Sequence, residues 1–142
     1  MTTDPPLQIT RQFPATPQQV FDAWLEPGIM QHWLFKGETN EIIDIQIERR
    51  PGGAFSILER NQGELIDHFG SYSAIDPPAH LAFSLQVPKH FQETTQVTVR
   101  IYPTGSGSEM IFIQCGIAPE ITAPFWRQMF DRLGTALNGD RR

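Results

Sequence analysis

The side chains best suited to acid–base or metal chemistry are the four histidines, His32, His68, His80 and His90. A metal site on a helix would need two ligands three or four residues apart, and the histidines offer no such pair, so we expect no metal. His68 lies in the middle of a predicted strand, on the face that it shares with Tyr72. Facing inward, it could hydrogen-bond a ligand carbonyl or act as a general base. It is the only catalytic candidate, and a structural or outward-facing histidine is the alternative.

Cysteine and carboxylate chemistry is limited by number and spacing. The single cysteine, Cys115, excludes an internal disulfide and any multi-cysteine metal site. No adjacent residue supplies a base to activate its thiol, so we expect a buried or half-buried structural cysteine. Glu64 and Asp67 are three residues apart on one predicted strand and therefore lie on opposite faces, which excludes a carboxylate pair there.

The elements that carry these residues follow from the apolar pattern. A first strand over residues 7–13 precedes two short helices, one capped by Thr16 and the other over residues 28–33. Alternating apolar and polar residues then predict six strands, separated by turns at hairpin spacing, and hence an antiparallel meander.

The C-terminal segment changes to a helical period. Phe125, Met129, Leu133 and Leu137 fall four residues apart, which predicts a long amphipathic helix. Its start is expected near Thr122 or Ala123, because Pro124 is tolerated only in a first turn. The economical packing is an α+β fold in which one curved antiparallel sheet of about seven strands wraps around this helix.

Length and charge exclude several classes of protein. The 142 residues allow one domain, residues 1–142, with an ordered core over about residues 7–138. The net charge of -5, without a cluster of basic residues, argues against a nucleic-acid partner. No apolar run is long enough to insert into a membrane and the first residues lack the features of a signal peptide, so a cytoplasmic protein is expected.

Five segments in a fixed order resemble a known family. They are residues 15–24 followed by His32-Trp33, residues 50–55, Gly70-Ser71-Tyr72 with residues 77–81, Phe125-Trp126, and residues 130–133. Together they resemble the heat-shock protein 90 ATPase activator homologue family, within the SRPBCC or START-like superfamily. The resemblance covers residues 7–138 and implies the helix-grip fold. It also implies a hydrophobic cavity, used in this superfamily for lipids, sterols, polyketides or other aromatic compounds.

Three functional hypotheses follow. The first is binding of a small hydrophobic or aromatic ligand between the sheet and the C-terminal helix, without a cofactor and with weak catalysis or none. The second is an enzyme of the polyketide cyclase or hydrolase type with His68 as its general base, and the third is a co-chaperone module with a chaperone partner. A homodimer through an exposed edge strand is a further expectation. The expected cavity residues are Trp33, Phe55, His68, Phe83, Val99, Phe112, Trp126, Met129 and Phe130, with Tyr72 and Gln114 as polar anchors.

Overall fold

The computed structural model describes residues 4–139. Strand β1 (Leu7–Phe13) is followed by helices α1 (Pro17–Ala23) and α2 (Pro27–Met30). The next six elements are strands: β2 (Glu41–Ile47), β3 (Ala54–Asn61), β4 (Glu64–Asp76), β5 (His80–Leu85), β6 (Thr95–Pro103) and β7 (Ser108–Cys115). The chain then forms helix α3 (Pro119–Gly139). The predicted α+β fold is confirmed, and residues 1–3 and 140–142 of the predicted single domain lie outside the described residues.

All seven strands form one antiparallel sheet in the order β1-β7-β6-β5-β4-β3-β2. β2 to β7 follow the chain as a meander, and β1 closes the far side by pairing with β7. β1 and β2 are therefore the sheet edges. The homodimer through such an edge stays a prediction.

Helix α1 begins where the sequence predicts. The Thr16 hydroxyl oxygen accepts a hydrogen bond from the Gln19 backbone N–H, and the Gln19 side chain accepts one from the Thr16 N–H. Pro17 occupies the first turn, where its missing N–H costs nothing. This capping box sets the helix so that Val20 and Phe21 are buried against the sheet.

Helix α3 begins earlier than the sequence predicts. Its first residue is Pro119, not a residue near Thr122 or Ala123, and Pro124 lies inside it. Pro124 cannot donate to the carbonyl four residues before it, so one helical hydrogen bond is missing. The additional turn is stabilised by tertiary contacts, because Thr122 and Ala123 are buried and the Thr122 hydroxyl donates to Gln114.

Where α1 and α3 meet the sheet, large rings fill the space between them. We call Trp24, Trp33, Phe112 and Phe130 the aromatic core; each is at most 2% exposed. The centroids of Trp24 and Trp33 are 4.7 Å apart at an edge-to-face angle, and those of Phe112 and Phe130 are 5.2 Å apart. This end of the fold is solidly packed.

No helix within residues 4–139 is long and apolar enough to cross a membrane. In the same residues no three His, Cys, Asp or Glu side chains come close enough together to hold a metal ion.

Candidate functional site: a cavity between the sheet and helix α3

At the end of the sheet away from the aromatic core, the space between the sheet and α3 is left open. The cavity measures about 510 Å³, within the range typical of small-molecule sites. Its mouth is flanked by Ile121 and Phe125 on α3, which are 49% and 64% exposed. Apolar side chains make up much of the wall: Phe35, Leu85, Val87, Phe91, Ile121, Phe125, Trp126 and Met129. Its buried polar side chains are those of Asn40, Glu59, His68, Gln114 and Thr122.

Four of the residues expected in the cavity do line it, and seven lie elsewhere. The four are His68, Gln114, Trp126 and Met129. Trp33, Val99, Phe112 and Phe130 are packed in the protein interior. Phe55, Tyr72 and Phe83 border a separate gap of about 10 Å³, too small for more than one water molecule.

Tyr72, expected to anchor a ligand, is therefore placed away from the cavity. It packs against Phe55, with ring centroids 5.3 Å apart, and burial raises the pKa of its phenol. Its contribution is to packing next to the aromatic core.

Gln114, the other expected anchor, connects the sheet to α3. Its carbonyl oxygen accepts hydrogen bonds from the Thr122 hydroxyl at 2.7 Å and the Trp126 indole N–H at 3.0 Å. Its amide donates to the Thr95 hydroxyl oxygen at 3.0 Å, and that hydroxyl in turn donates to the Leu85 carbonyl. Because both lone pairs of the Gln114 oxygen are occupied, this side chain positions the cavity wall.

A buried carboxylate, which sequence reasoning missed, lies beside His68. The Glu59 carboxylate oxygen Oε1 is 2.9 Å from His68 Nε2, and its Oε2 accepts from the Asn40 amide at 2.7 Å. The strand period contains a signal for this residue, since Glu59 in β3 alternates in register with the buried Phe55 and Ile57.

The pair consists of an ionised Glu59 and a neutral His68. Burial would raise the pKa of Glu59, but the hydrogen bonds from His68 and Asn40 act against it, and that pKa is lowered overall. Burial lowers the pKa of His68 in spite of its hydrogen bond to Glu59. A neutral imidazole next to a carboxylate places its proton on Nε2, the nitrogen that faces Glu59. We therefore assign Nδ1 as the bare acceptor, and it has no hydrogen-bond partner among residues 4–139.

Part of the remaining wall is a loop that follows α2, residues 35–40, which we call the 35–40 loop. Phe35 adopts a left-handed backbone conformation, with φ of 60°, and its ring stacks on His68 at 3.9 Å. Such a conformation is unfavourable for a bulky residue, so surrounding contacts must hold it. The Phe35 N–H donates to the Met129 sulfur and its carbonyl accepts from Asn40.

The other candidate groups lie apart from this site or at its edge. Cys115 is exposed at the end of β7, so the expectation of a buried or half-buried cysteine is wrong: the alternation that turns Gln114 inward turns Cys115 out. His32 is exposed and His80 is 3.5 Å from Asp76. His90 is exposed and borders the cavity, 6.4 Å from His68 between ring centroids.

A curved antiparallel sheet around a long C-terminal helix, with a cavity between the two, defines the helix-grip class of proteins. The predicted class is confirmed by the sheet order and by the position of α3.

Sequence comparison identifies the family within that class. The family model described as "Activator of Hsp90 ATPase homolog 1-like protein" matches residues 14–138, and the chain belongs to this family. The predicted resemblance is thus confirmed. No curated protein matches the chain.

Solved structures share the fold at low sequence identity. A protein from Rhodobacter sphaeroides is 21% identical with a TM-score of 0.84, over 99% of this chain and 100% of that one. An AHSA1-like protein from Aeromonas hydrophila is 14% identical with a TM-score of 0.82, over 96% and 94% of the two chains. CalU16 from Micromonospora echinospora is 19% identical with a TM-score of 0.70, over 95% and 77%.

Proposed function

We propose that this protein binds a small, mainly apolar molecule in the cavity between the sheet and helix α3. The observation that carries the proposal is the cavity itself, about 510 Å³ of open space in a chain that packs rings tightly only a few residues away. A protein interior is normally filled to the density of an organic crystal, so a gap of this size is an exception to ordinary packing.

The wall has the composition that such a ligand requires. Phe35, Trp126 and Met129 offer ring and thioether surfaces, and Met129 is a flexible side chain that adapts to ligand shape. Affinity would come from apolar area removed from water, at about 25 cal/mol per Å². Phe125 at the mouth provides apolar surface that a ligand could cover.

The three tryptophans allow a direct test by nuclear magnetic resonance. The Trp126 indole N–H lies in the cavity wall, whereas the Trp33 indole N–H donates to the Ala23 carbonyl within the aromatic core. We expect titration with naphthalene and related aromatic compounds to shift the Trp126 indole signal and to leave that of Trp33 in place. Equal shifts of both signals, or none with any compound, would contradict the proposal.

A matched pair of variants checks the location. Val87 lines the cavity, so Val87→Phe puts a ring into the ligand space and should reduce affinity at least about tenfold, an effect on the order of 1.4 kcal/mol. Tyr102 is exposed on β6 outside the cavity, and Tyr102→Ala should leave affinity unchanged. If the two variants bind alike, the ligand lies elsewhere.

General-base catalysis by His68 is a second candidate, favoured by one observation. A neutral imidazole held by a carboxylate is the arrangement of a base in acid–base enzymes, and its unpartnered Nδ1, which is buried, would have to become accessible to a substrate. The test is hydrolysis of aryl esters by the intact protein and by His68→Gln. A rate equal in the two proteins would remove this candidate. The co-chaperone hypothesis stays a prediction.

A further inference from the structure

The polar groups of the cavity wall differ in what they leave available to a ligand. Each buried donor atom of the wall has a partner within the protein, and the Gln114 amide uses one of its two N–H groups. Asn40 donates to Glu59 and to the Phe35 carbonyl, and His68 donates to Glu59. At the other side the Trp126 N–H, the Thr122 hydroxyl and the Gln114 amide donate to protein oxygens.

The acceptors, in contrast, keep unused capacity. Each Glu59 oxygen receives one hydrogen bond from the protein, while a carboxylate offers about four acceptor positions. His68 Nδ1 receives none from residues 4–139, but it is buried with almost no accessible surface, so Glu59 is the acceptor that a ligand can reach. A donor brought by a ligand would use the open acceptor positions of this carboxylate.

The formal charges on the wall also favour an uncharged ligand over an anion. Among the described lining residues these are Glu59 and Lys36. The Lys36 ammonium is held by its own loop, since it donates to the Gly37 carbonyl at 2.7 Å and the Asn40 carbonyl at 2.8 Å. The Glu59 charge is buried next to the open space, where a low dielectric makes its repulsion of another anion strong.

We infer that the cavity selects an uncharged, mainly apolar molecule that carries a hydroxyl or N–H group, which donates to the Glu59 carboxylate, and that it disfavours carboxylates. The inference rests on the proposed function and specifies the ligand class. It also changes the role expected for His68: because its own N–H is bound to Glu59, it positions that carboxylate and does not donate to a ligand carbonyl.

The test uses three compounds of equal ring size and the intact protein near neutral pH. Equilibrium dialysis with naphthalene, 2-naphthol and 2-naphthoate compares no polar group, a donor and an anion. We expect 2-naphthol to bind roughly tenfold more tightly than naphthalene, as one hydrogen bond to a charged group allows, and 2-naphthoate to bind more weakly than naphthalene. An affinity for 2-naphthoate equal to that for 2-naphthol would overturn the inference.

A variant without the charge of Glu59 tests whether this residue produces the selectivity. Glu59→Gln should reduce the preference for 2-naphthol and tighten 2-naphthoate binding, because the anion is gone and an amide donor replaces it. Glu64→Gln removes the same charge from an exposed position paired with Lys89 and should leave the order of affinities unchanged. An unchanged order in Glu59→Gln would overturn the inference. If Glu59→Gln does not fold, the three wild-type affinities decide alone.

The same experiment separates the two proposals. Binding of all three compounds with similar affinity would refute the selectivity and keep the hydrophobic site. Binding of none of them would refute the proposed function itself.

Discussion

The two ends of the space between the sheet and α3 contain similar residues, but one end is filled by side chains and the other is left open. At the aromatic core, the rings of Trp24, Phe112 and Phe130 reach one another across the gap, with centroids 5.2–6.4 Å apart. At the cavity, a loop residue, Phe35, and the buried polar pair Glu59–His68 occupy the wall, and the gap remains open.

The difference shows how one layer of apolar side chains can serve two purposes. Rings that meet other rings contribute burial and dispersion energy to stability. Rings that face open space keep apolar surface uncovered, and that surface is available to a ligand. The boundary runs through Trp126, whose ring contacts Phe112 at 4.4 Å on one side and lines the cavity on the other.

The largest expected effect on stability comes from comparing the truncation of a Phe in the aromatic core with the truncation of a Phe at the cavity mouth. Phe112→Ala should lower the free energy of unfolding by about 3–5 kcal/mol, because Phe112 is fully buried among rings. Phe125→Ala, at an exposed position, should change it by less than about 0.5 kcal/mol. Urea unfolding measures both. Similar losses in the two variants would mean that the two ends are not distinct.

A second, smaller loss of stability is expected at Gln114, where the aromatic core meets the cavity. Gln114→Leu keeps the volume similar but leaves the Trp126 N–H and the Thr122 hydroxyl without their acceptor. Each of the two unsatisfied buried groups costs about 1–3 kcal/mol. Because the apolar Leu side chain offsets part of this cost, we expect a total loss of about 2–4 kcal/mol in denaturant unfolding. Thr122→Val, which removes one of these groups, should cost less. A neutral effect of Gln114→Leu would show that this connection does not position α3.

The third effect is a pH dependence of the folding stability, which we expect from His68 at the cavity end. The pKa of His68 is lowered in the folded protein from the ordinary 6.5, so below about that pH the unfolded chain binds more protons. Stability is therefore lost as the pH falls from about 6.5 towards the folded pKa, with Glu59, Asp67 and His90 as the ionisable neighbours that act on His68.

Thermal unfolding between neutral and mildly acidic pH tests this dependence. His68→Gln can still donate to Glu59 but does not titrate, so its melting temperature should fall less steeply than that of the wild type over this window. His80→Gln, next to the exposed Asp76, is the matched control and should follow the wild type. Parallel curves for wild type and His68→Gln would contradict the assignment of a neutral His68.

The smallest effect concerns affinity at the mouth. Phe125→Ala removes a ring that borders the cavity but is largely exposed, so naphthalene should bind roughly threefold to tenfold more weakly, a loss of about 1 kcal/mol. The Trp126 indole signal provides the measurement. An unchanged affinity would place the ligand deeper, beyond the reach of Phe125.

Local patterns were enough to predict the fold. Strand alternation and the capping box at Thr16 identify the elements, and short turns leave little choice but a meander. The start of α3 was missed because the contact between Thr122 and Gln114, which supports the extra turn before Pro124, joins residues of different elements.

The candidate site was predictable only where a residue lies on a regular element. His68, Gln114 and Met129 follow from strand and helix periods. A period tells which face a residue occupies but not how far along the gap it lies, so Phe112 and Phe130 were placed in the cavity although they fill the core. Phe35 and Asn40 lie outside helices and strands, where no period exists to indicate them.

The 35–40 loop has an evolutionary consequence. One face of the cavity is formed by a short connection whose positions, apart from Phe35 and Asn40, can change without altering the register of any strand. Insertions or substitutions there would alter the shape of the cavity while the aromatic core continued to stabilise the fold. Members of one family could thus acquire different ligands through changes in a few loop residues, with the same sheet and helix beneath them.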